Sequence, residues 1–588
     1  MKRTEVADNY KWNLSHIFKS EAEIEHSFSA LSNFKTEIES FKGKIKTADD
    51  VFALFMTEEK AEKELAKLGL YSYLFYSEDI TNAKAIVLSG KVDNAGNAYA
   101  RAVSFVVPEL VSLGKEFLEG LKADKRFKDY DRTIDLLIKD IPHTLPASEE
   151  YLLSGMGEFT DFDSVFDALS DAELKFEPVL ENGEKKELTH ATYSAFMRSP
   201  NADVRLMAHK NMHKKFGEFN LTLTKNYLNR LKYSNYVSKT YKYANNFVRA
   251  LEGEEVTEKV YNTLIGAVHS HFADFYRFAE LKRQKLNLEK MRVCDFYANS
   301  FTEKAKTITY EEAQQIVKEA LKCLGNDYQK LLERAFAERW IDVFPTENKS
   351  SGAYSYSTGV SHPYVMLNFA GTTEDASTLA HELGHAMHSH YSETTQPEPK
   401  QQYVIFVAEV ASTVNEMLLA RYKLKMAKTK IEKQAIAESL LQNFYATVFR
   451  QTMFAEFEKQ INQKIADSEA LAPEDLNAAY EQLLKQYFGS KVELHEYAKF
   501  EWSRIPHFYR PFYVYKYATG FVSAIAISQK IVDDQTGEYV KKYKEFLSAG
   551  CKADPISLLK IAEVDIEDAS TYDFAFKFYN ELLNLYAE

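Results

Sequence analysis

Apolar residues recur at helical spacing along most of the chain, and strict alternation is rare. From about residue 20 to 140 the pattern predicts successive amphipathic helices. Val51-Phe52-Ala53-Leu54-Phe55-Met56 opens one apolar patch, and Leu65, Leu68, Leu70, Tyr71 and Leu74 continue it. Pro108, inside Phe105–Leu110, predicts a break, because proline lacks a donor and restrains its predecessor. Pro142 and Pro146 punctuate the next stretch. Lys175–Leu188 predicts a β-hairpin turning at Glu181-Asn182-Gly183-Glu184, since Asn-Gly tolerates the positive φ of a tight turn. Ser199-Pro200-Asn201 is a helix start signal, and periodic helix follows to about 335. Residues 350–371 change character, being rich in Ser, Gly, Tyr and β-branched residues. They predict a glycine-bearing loop and one or two strands, Tyr364–Phe369 being the best of these. Helix resumes at about 374 and dominates to the end, with no internal repeat.

Composition sharpens this picture. Twenty-one glycines and 13 prolines in 588 residues are about half the average usage, which favours a mainly α chain with short connections. The length predicts more than one structural unit. A net charge of -13 argues against nonspecific nucleic-acid binding and against a polybasic membrane anchor. Cys294, Cys323 and Cys551 are too few and too scattered for a disulfide framework or a cysteine zinc site. The start has no signal-peptide core, and no apolar run approaches the roughly 18 residues of a membrane span. A cytoplasmic setting without membrane or nucleic-acid partners is therefore expected.

The strongest chemical signal is His381-Glu382-Leu383-Gly384-His385, inside the predicted helix Ala376–His388. Residues four apart share a helix face, so both imidazoles can reach one tetrahedral zinc ion. Glu382 then sits beside the metal without binding it, placed to take a proton from a zinc-bound water. The bland alternative is a surface helix with two solvated histidines. The extended metzincin pattern wants Gly at 388 and His at 391; the chain has His388 and Tyr391, which rejects that class. His388 and His390 are read as supporting or merely structural.

A catalytic zinc usually has three protein ligands. The downstream acids are Glu393, Glu398, Glu409 and Glu416. Val404–Glu416 is apolar on nearly all sides and predicts a buried helix, in which a carboxylate must be paired or metal-bound. Glu409 and Glu416 share a face with Ser412 between them. Glu409 as ligand, with Glu416 orienting a zinc-bound histidine, fits that spacing. A buried salt bridge is the alternative for each.

A late cluster, Trp502–Gly520, packs His507, Tyr509, Tyr513, Tyr515 and Tyr517 around Pro506 and Pro511. Tyr and His suit the stabilisation of a developing oxyanion; aromatic core packing is the alternative, and it fits Phe508 and Phe512.

The chain resembles the oligoendopeptidase F group of peptidase family M3, the zinc metallopeptidases that include thimet oligopeptidase and neurolysin. The resemblance is carried by Gly352-Ala353-Tyr354-Ser355, His362-Pro363-Tyr364, Asn368-Phe369, Gly371-Thr372, Thr378–His388, Val407–Glu416, Ile505–Tyr509, Phe512–Gly520 and the opening Tyr10-Lys11-Trp12-Asn13-Leu14. It implies a two-lobed, mainly helical metallopeptidase with a deep substrate channel and a small β-sheet beside the zinc helix. It implies one zinc ion held by His381, His385 and Glu409, with Glu382 as general base. It implies that His507 contacts the bound peptide near the scissile bond, that Tyr515 stabilises the oxyanion, and that Tyr509 is a second tyrosine of the same loop. The spacing departs from the mammalian-type members, whose loop is longer and contains glycines. Gly352, Ala353, Tyr354, His507, Tyr509 and Tyr513 are expected to bind substrate, with Gly352 and Gly371 admitting its backbone. The expected division is an N-terminal helical region, 1–110, an oligoendopeptidase F N-terminal-type domain, 111–185, and a catalytic domain, 186–588. The expected activity is endopeptidase cleavage of short oligopeptides. The alternatives are a dipeptidyl carboxypeptidase using Arg504 or Arg510 for the free carboxylate, and a non-catalytic peptide-binding helical protein.

Overall fold

A computed structural model describes residues 1–156, 160–301 and 307–588. The fold is 71% helix and 3% strand. The chain divides into two compact units, each assembled from separated stretches. One comprises Met1–Thr144, Ala305–Tyr422 and Ile527–Glu563; the other comprises Leu145–Lys304, Lys423–Ala526 and Val564–Glu588. Among the described residues no helix is long and apolar enough to cross a membrane.

The first unit opens with helices α1 (Glu21–Glu39), α2 (Ala48–Glu78) and α3 (Ala83–Val103). Their apolar stripes meet in a core containing Leu31, Ile38, Leu54, Leu68 and Val92. Each helix start carries its own stop for the orphan amides: Ser20, Thr47 and Asn82 accept from the first turn. Pro108 falls one turn later than a break requires; the break lies between Val103 and Val106, and Pro108 occupies the first turn of the helix Val106–Ser112. Proline is tolerated there because first-turn amides have no intrahelical partner.

The hairpin of the second unit is shorter than expected, β1 (Val179–Glu181) against β2 (Glu184–Lys186). Its turn is as the sequence demands: Asn182 has φ 54° and Gly183 φ 83°. A parallel pair, β3 (Met291–Arg292) and β7 (Val492–Glu493), lies in the same unit.

The sheet of the first unit holds β4 (Ile341–Asp342), β5 (Tyr354–Tyr356) and β6 (Tyr364–Met366) in the order β4-β6-β5. β6 is parallel to β4 and antiparallel to β5. The segment Tyr364–Phe369 thus contributes a three-residue central strand, fully buried, and β5 is a half-buried edge strand of the sheet. A buried lysine ties the sheet together. Lys349 Nζ donates to the carbonyls of Phe344 (2.8 Å) and Leu367 (2.6 Å) and pairs with Asp342 (2.7 Å). The opening segment Tyr10–Leu14 lies along this sheet: Val343 N–H donates to Tyr10 O, and Tyr364 Oη–H donates to Asn13 O. Trp12 packs with Leu70, Leu74, Tyr364 and Met366. The sheet in turn contacts the helix that follows it, Thr373–Thr395.

Candidate metal centre

The helix Thr373–Thr395 begins at a capping box. Asp375 N–H donates to Thr372 Oγ1, and Thr372 N–H donates to Asp375 Oδ2. That start sets the register that puts His381 and His385 on one face. The second helix, Ile405–Met426, crosses it where Gly384 lies against Ser412. A Cβ at 384 would sit 2.5 Å from Ser412 Cα and 2.8 Å from Ala411 O, so only glycine permits this approach. Asn415 locks the crossing: its Nδ2 donates to Ala380 O (3.0 Å) and its Oδ1 accepts from Tyr328 (3.2 Å).

Three donor atoms converge here. His381 Nε2 and His385 Nε2 are 3.2 Å apart, and Glu409 Oε2 is 3.6 Å from the first and 3.5 Å from the second. A tetrahedral ion with bonds of about 2.1 Å requires donors about 3.4 Å apart. The triangle matches that spacing without rearrangement, and two imidazoles with a carboxylate are a zinc-type donor set. Among the described residues this is one of two histidine-containing groups able to hold a metal.

Each donor is aimed by a further contact. His381 Nδ1 is hydrogen-bonded to Glu416, which leaves Nε2 as the lone-pair nitrogen. Ser412 Oγ–H donates to Glu409 Oε2 (3.1 Å). Burial pulls the His381 imidazole down, but the Glu416 carboxylate and its acidic neighbours outweigh this and raise it to about 8. The hydrogen bond to His385 holds Glu409 down at about 2. Glu382 is buried, and burial raises its carboxyl above the usual range.

One expectation is corrected. Glu409 is half-buried, its side chain 44% exposed, although its helix is apolar nearly all round. The helix is covered on its other faces, and the Glu409 carboxylate lies where that cover stops. His388 is buried with its ring stacked on Tyr403 at 3.7 Å, and burial pushes it down to about 3. It is a neutral packing group. Glu393 accepts from Ser357 (2.7 Å), away from the histidine pair. Gly352 has φ 81° with open space about a Cβ, so it serves the turn into β5, where Ala353 leads into the edge strand. Tyr354 is half-buried on that strand, in contact with the rings of Trp12 and Tyr73.

The late cluster, in the second unit, is sorted by the fold. Tyr509 is buried between Phe166 and Tyr227, and its carbonyl accepts from Arg230 (2.9 Å). Tyr515 is buried at the start of the helix Tyr515–Asp533, its hydroxyl 3.4 Å from Glu254. His507 and Tyr513 are half-exposed, with rings 6.1 Å apart. Tyr517, the tyrosine of the cluster with no role assigned, joins them: its hydroxyl lies 3.3 Å from His507 Nε2, and its ring is 5.5 Å from Tyr513. The four-residue spacing of Tyr513 and Tyr517 was the available signal. Arg504 lies over the Tyr193 ring and 3.9 Å from Glu501, while Arg510 is exposed.

Comparison with known proteins agrees with this geometry. Residues 195–578 match peptidase family M3, and residues 109–176 match the family described as oligopeptidase F. The chain is 34% identical to oligopeptidase PepF of Bacillus subtilis, covering 99% of this chain and 87% of the relative. It is 32% identical to an oligoendopeptidase F homolog of Lactococcus lactis, covering 99% and 97%. The crystal structure of oligoendopeptidase-F from Enterococcus faecium superposes with a TM-score of 0.73 at 27% identity, covering 96% of this chain and 98% of that one. The chain belongs to peptidase family M3.

Proposed function

We propose that the chain is a zinc metalloendopeptidase that hydrolyses internal bonds of oligopeptides, with one zinc ion held by His381, His385 and Glu409. The observation that carries this reading is the triangle of donors at tetrahedral spacing, with Glu382 adjacent to one of them on the same helix. Family membership and the names of the relatives support peptidase activity on oligopeptides.

A bound zinc ion supplies Lewis acidity, activating water and polarising the peptide carbonyl. Glu382 takes the proton of the attacking water on its carboxylate and delivers it to the leaving amine nitrogen. Its burial, which strengthens it as a base, favours that role. Glu416 keeps His381 in one tautomer, and Ser412 steadies Glu409. His507 is proposed to donate to the carbonyl oxygen as it gains charge, assisted by a neighbouring tyrosine. The half-exposed rings beside His507 favour Tyr513 or Tyr517, and the hydroxyl of Tyr515 faces Glu254; Phe substitutions at 513, 515 and 517 separate these assignments. Gly352, Ala353 and Tyr354 are proposed to present the edge of β5 to an extended peptide, with Tyr509 shaping the His507 segment. A cytoplasmic setting fits the three free cysteines, and the net charge of -13 disfavours a nucleic-acid partner.

The test is Glu382→Gln, assayed on an internally quenched oligopeptide alongside zinc content. Zinc should remain, and kcat should fall by about 10²–10⁴-fold. Undiminished cleavage would sink the mechanism. A C-terminally amidated peptide should still be cut; its resistance would favour the dipeptidyl carboxypeptidase.

A further inference from the structure

The second unit contains another convergence of imidazoles, well apart in sequence from the HExxH motif. His209 and His213 lie one turn apart on the helix Ala202–Glu218, and both are buried. His495 follows β7 and is half-buried. His209 Nδ1 is 2.6 Å from His495 Nε2 and 3.0 Å from His213 Nδ1. One ring nitrogen from each residue lies within 4.8 Å of the others. The framework is fixed: β7 pairs with β3, and the buried Arg205–Asp295 ion pair (2.8 Å) ties the helix to the segment after β3.

Hydrogen bonding alone does not satisfy these rings. The Tyr497 backbone N–H points at His495 Nδ1 (3.2 Å), which puts the proton of a neutral His495 on Nε2. That N–H then fills the one lone pair of His209 Nδ1. His213 Nδ1 faces the same filled lone pair. If it carries a proton, that proton finds only the backbone carbonyl of His209 in its own helix, the His209 ring acceptor being used; if it does not, two bare nitrogens stand 3.0 Å apart. In either tautomer His213 Nε2 is buried without a partner. Such a buried, unmatched set of lone pairs is costly.

We propose that His209, His213 and His495 form a second metal site, which binds a late first-row transition-metal ion such as Zn2+. An ion accepting one lone pair from each ring turns the conflict into coordination. The donor set has no carboxylate, which selects zinc, copper, nickel or cobalt over magnesium and calcium. The charges nearby, Arg450, Arg504 and Glu501, leave the neighbourhood without an acidic excess, so the nitrogens carry the affinity. Burial and the neighbouring cationic and imidazole groups keep all three rings neutral into the acid range. To reach tetrahedral spacing of about 3.4 Å, the His209–His495 separation must open by about 0.8 Å and the His209–His213 separation by about 0.4 Å. His495, half-exposed beyond the end of β7, can make that movement, releasing the Tyr497 contact as its proton passes to Nδ1. The bound ion would staple the Ala202–Glu218 helix to the segment after β7.

The test counts zinc by elemental analysis on full-length chain stripped with chelator, reloaded with Zn2+ and desalted. Two ions per native chain are expected, one in His381→Ala/His385→Ala, and one in His209→Ala/His213→Ala. His495→Ala, at a half-exposed position, guards against a misfolded core variant and should also lose one ion. In the His381→Ala/His385→Ala background, Zn2+ should raise the thermal midpoint, and adding His495→Ala should abolish the rise. A His381→Ala/His385→Ala chain that retains no zinc and gains no thermal stability overturns the proposal while leaving the peptidase reading intact. Conversely, a native chain whose zinc is held only through His209, His213 and His495 and which cleaves no peptide keeps this site and removes that reading.

Discussion

Replacing Gly384 by alanine puts a methyl group into the crossing of the two helices that carry the metal donors. The new carbon would lie 2.5 Å from Ser412 Cα and 2.9 Å from Ser412 N. Carbon–carbon contacts settle at about 3.5–4.0 Å, so the helices must part by about 1 Å. Glu409 lies one turn from Ser412 and moves with it. Its separations from the imidazole nitrogens, 3.6 and 3.5 Å, would then grow to about 4.5 Å. Two donors on one ion with bonds of about 2.1 Å cannot be more than about 4.2 Å apart, so the carboxylate drops out of the set. Overpacking costs about 1–3 kcal/mol, and alanine recovers about 0.5–1 kcal/mol of helix propensity. Stability should therefore fall by about 0–2.5 kcal/mol, leaving the chain folded. Zinc affinity should fall by on the order of 100-fold or more, past the effect of losing an orienting partner. Competition with a chromophoric chelator measures the affinity, and thermal unfolding followed by circular dichroism measures the stability. A folded Gly384→Ala chain with native zinc affinity and native cleavage would refute the reasoning.

Other perturbations probe separate links. Glu416→Ala frees the His381 ring and should weaken zinc binding by about 10–100-fold with little change in fold, read by the same competition. Lys349→Met takes away one of the two cations on buried Asp342, which keeps Arg3 (2.6 Å), and leaves the Phe344 and Leu367 carbonyls without their donor; it should destabilise the chain by about 1–3 kcal/mol in denaturant titration. Glu458 is buried, with Oε1 accepting from the Phe512 amide (2.6 Å) at a positive-φ residue, and burial raises its carboxyl to about 8. Its folded-state value lies above its unfolded one, so its contribution is full below about pH 4.5 and is lost as pH rises through about 8. Glu458→Gln should remove that loss, gaining up to about 5 kcal/mol on the native chain between those pH values. Parallel stability curves across that range would contradict the assignment.

The parts legible in sequence were those with a local cause. The hairpin turn at Asn182-Gly183 follows from two residues that accept positive φ. The capped start at Thr372 and the four-residue spacing of His381 and His385 follow from helix geometry within a few turns. The mainly helical character followed from the shortage of glycine and proline. β6 is shorter than its apolar pattern and Glu409 is more exposed than its helix suggests, because apolar pattern reports that a segment packs, but not which of its faces the rest of the chain leaves open.

Tertiary structure decided everything that joins distant positions. Glu409 meets the histidine pair, while Glu393 goes to Ser357, because the second helix crosses at Gly384. That glycine's necessity lies in a neighbour 28 residues away, which no local rule exposes. The late tyrosines were equivalent in sequence and became different only when packing turned Tyr509 and Tyr515 inward and left Tyr513 and Tyr517 beside His507. The same holds for His495, which acquires its meaning from His209, 286 residues earlier. The sequence alone determined where helices start, where the chain turns and which residues can share a face, because those depend on the backbone within a turn or two. Which donors share an ion depends on long-range packing, where many weak contacts, summed over the fold, set the final ångström.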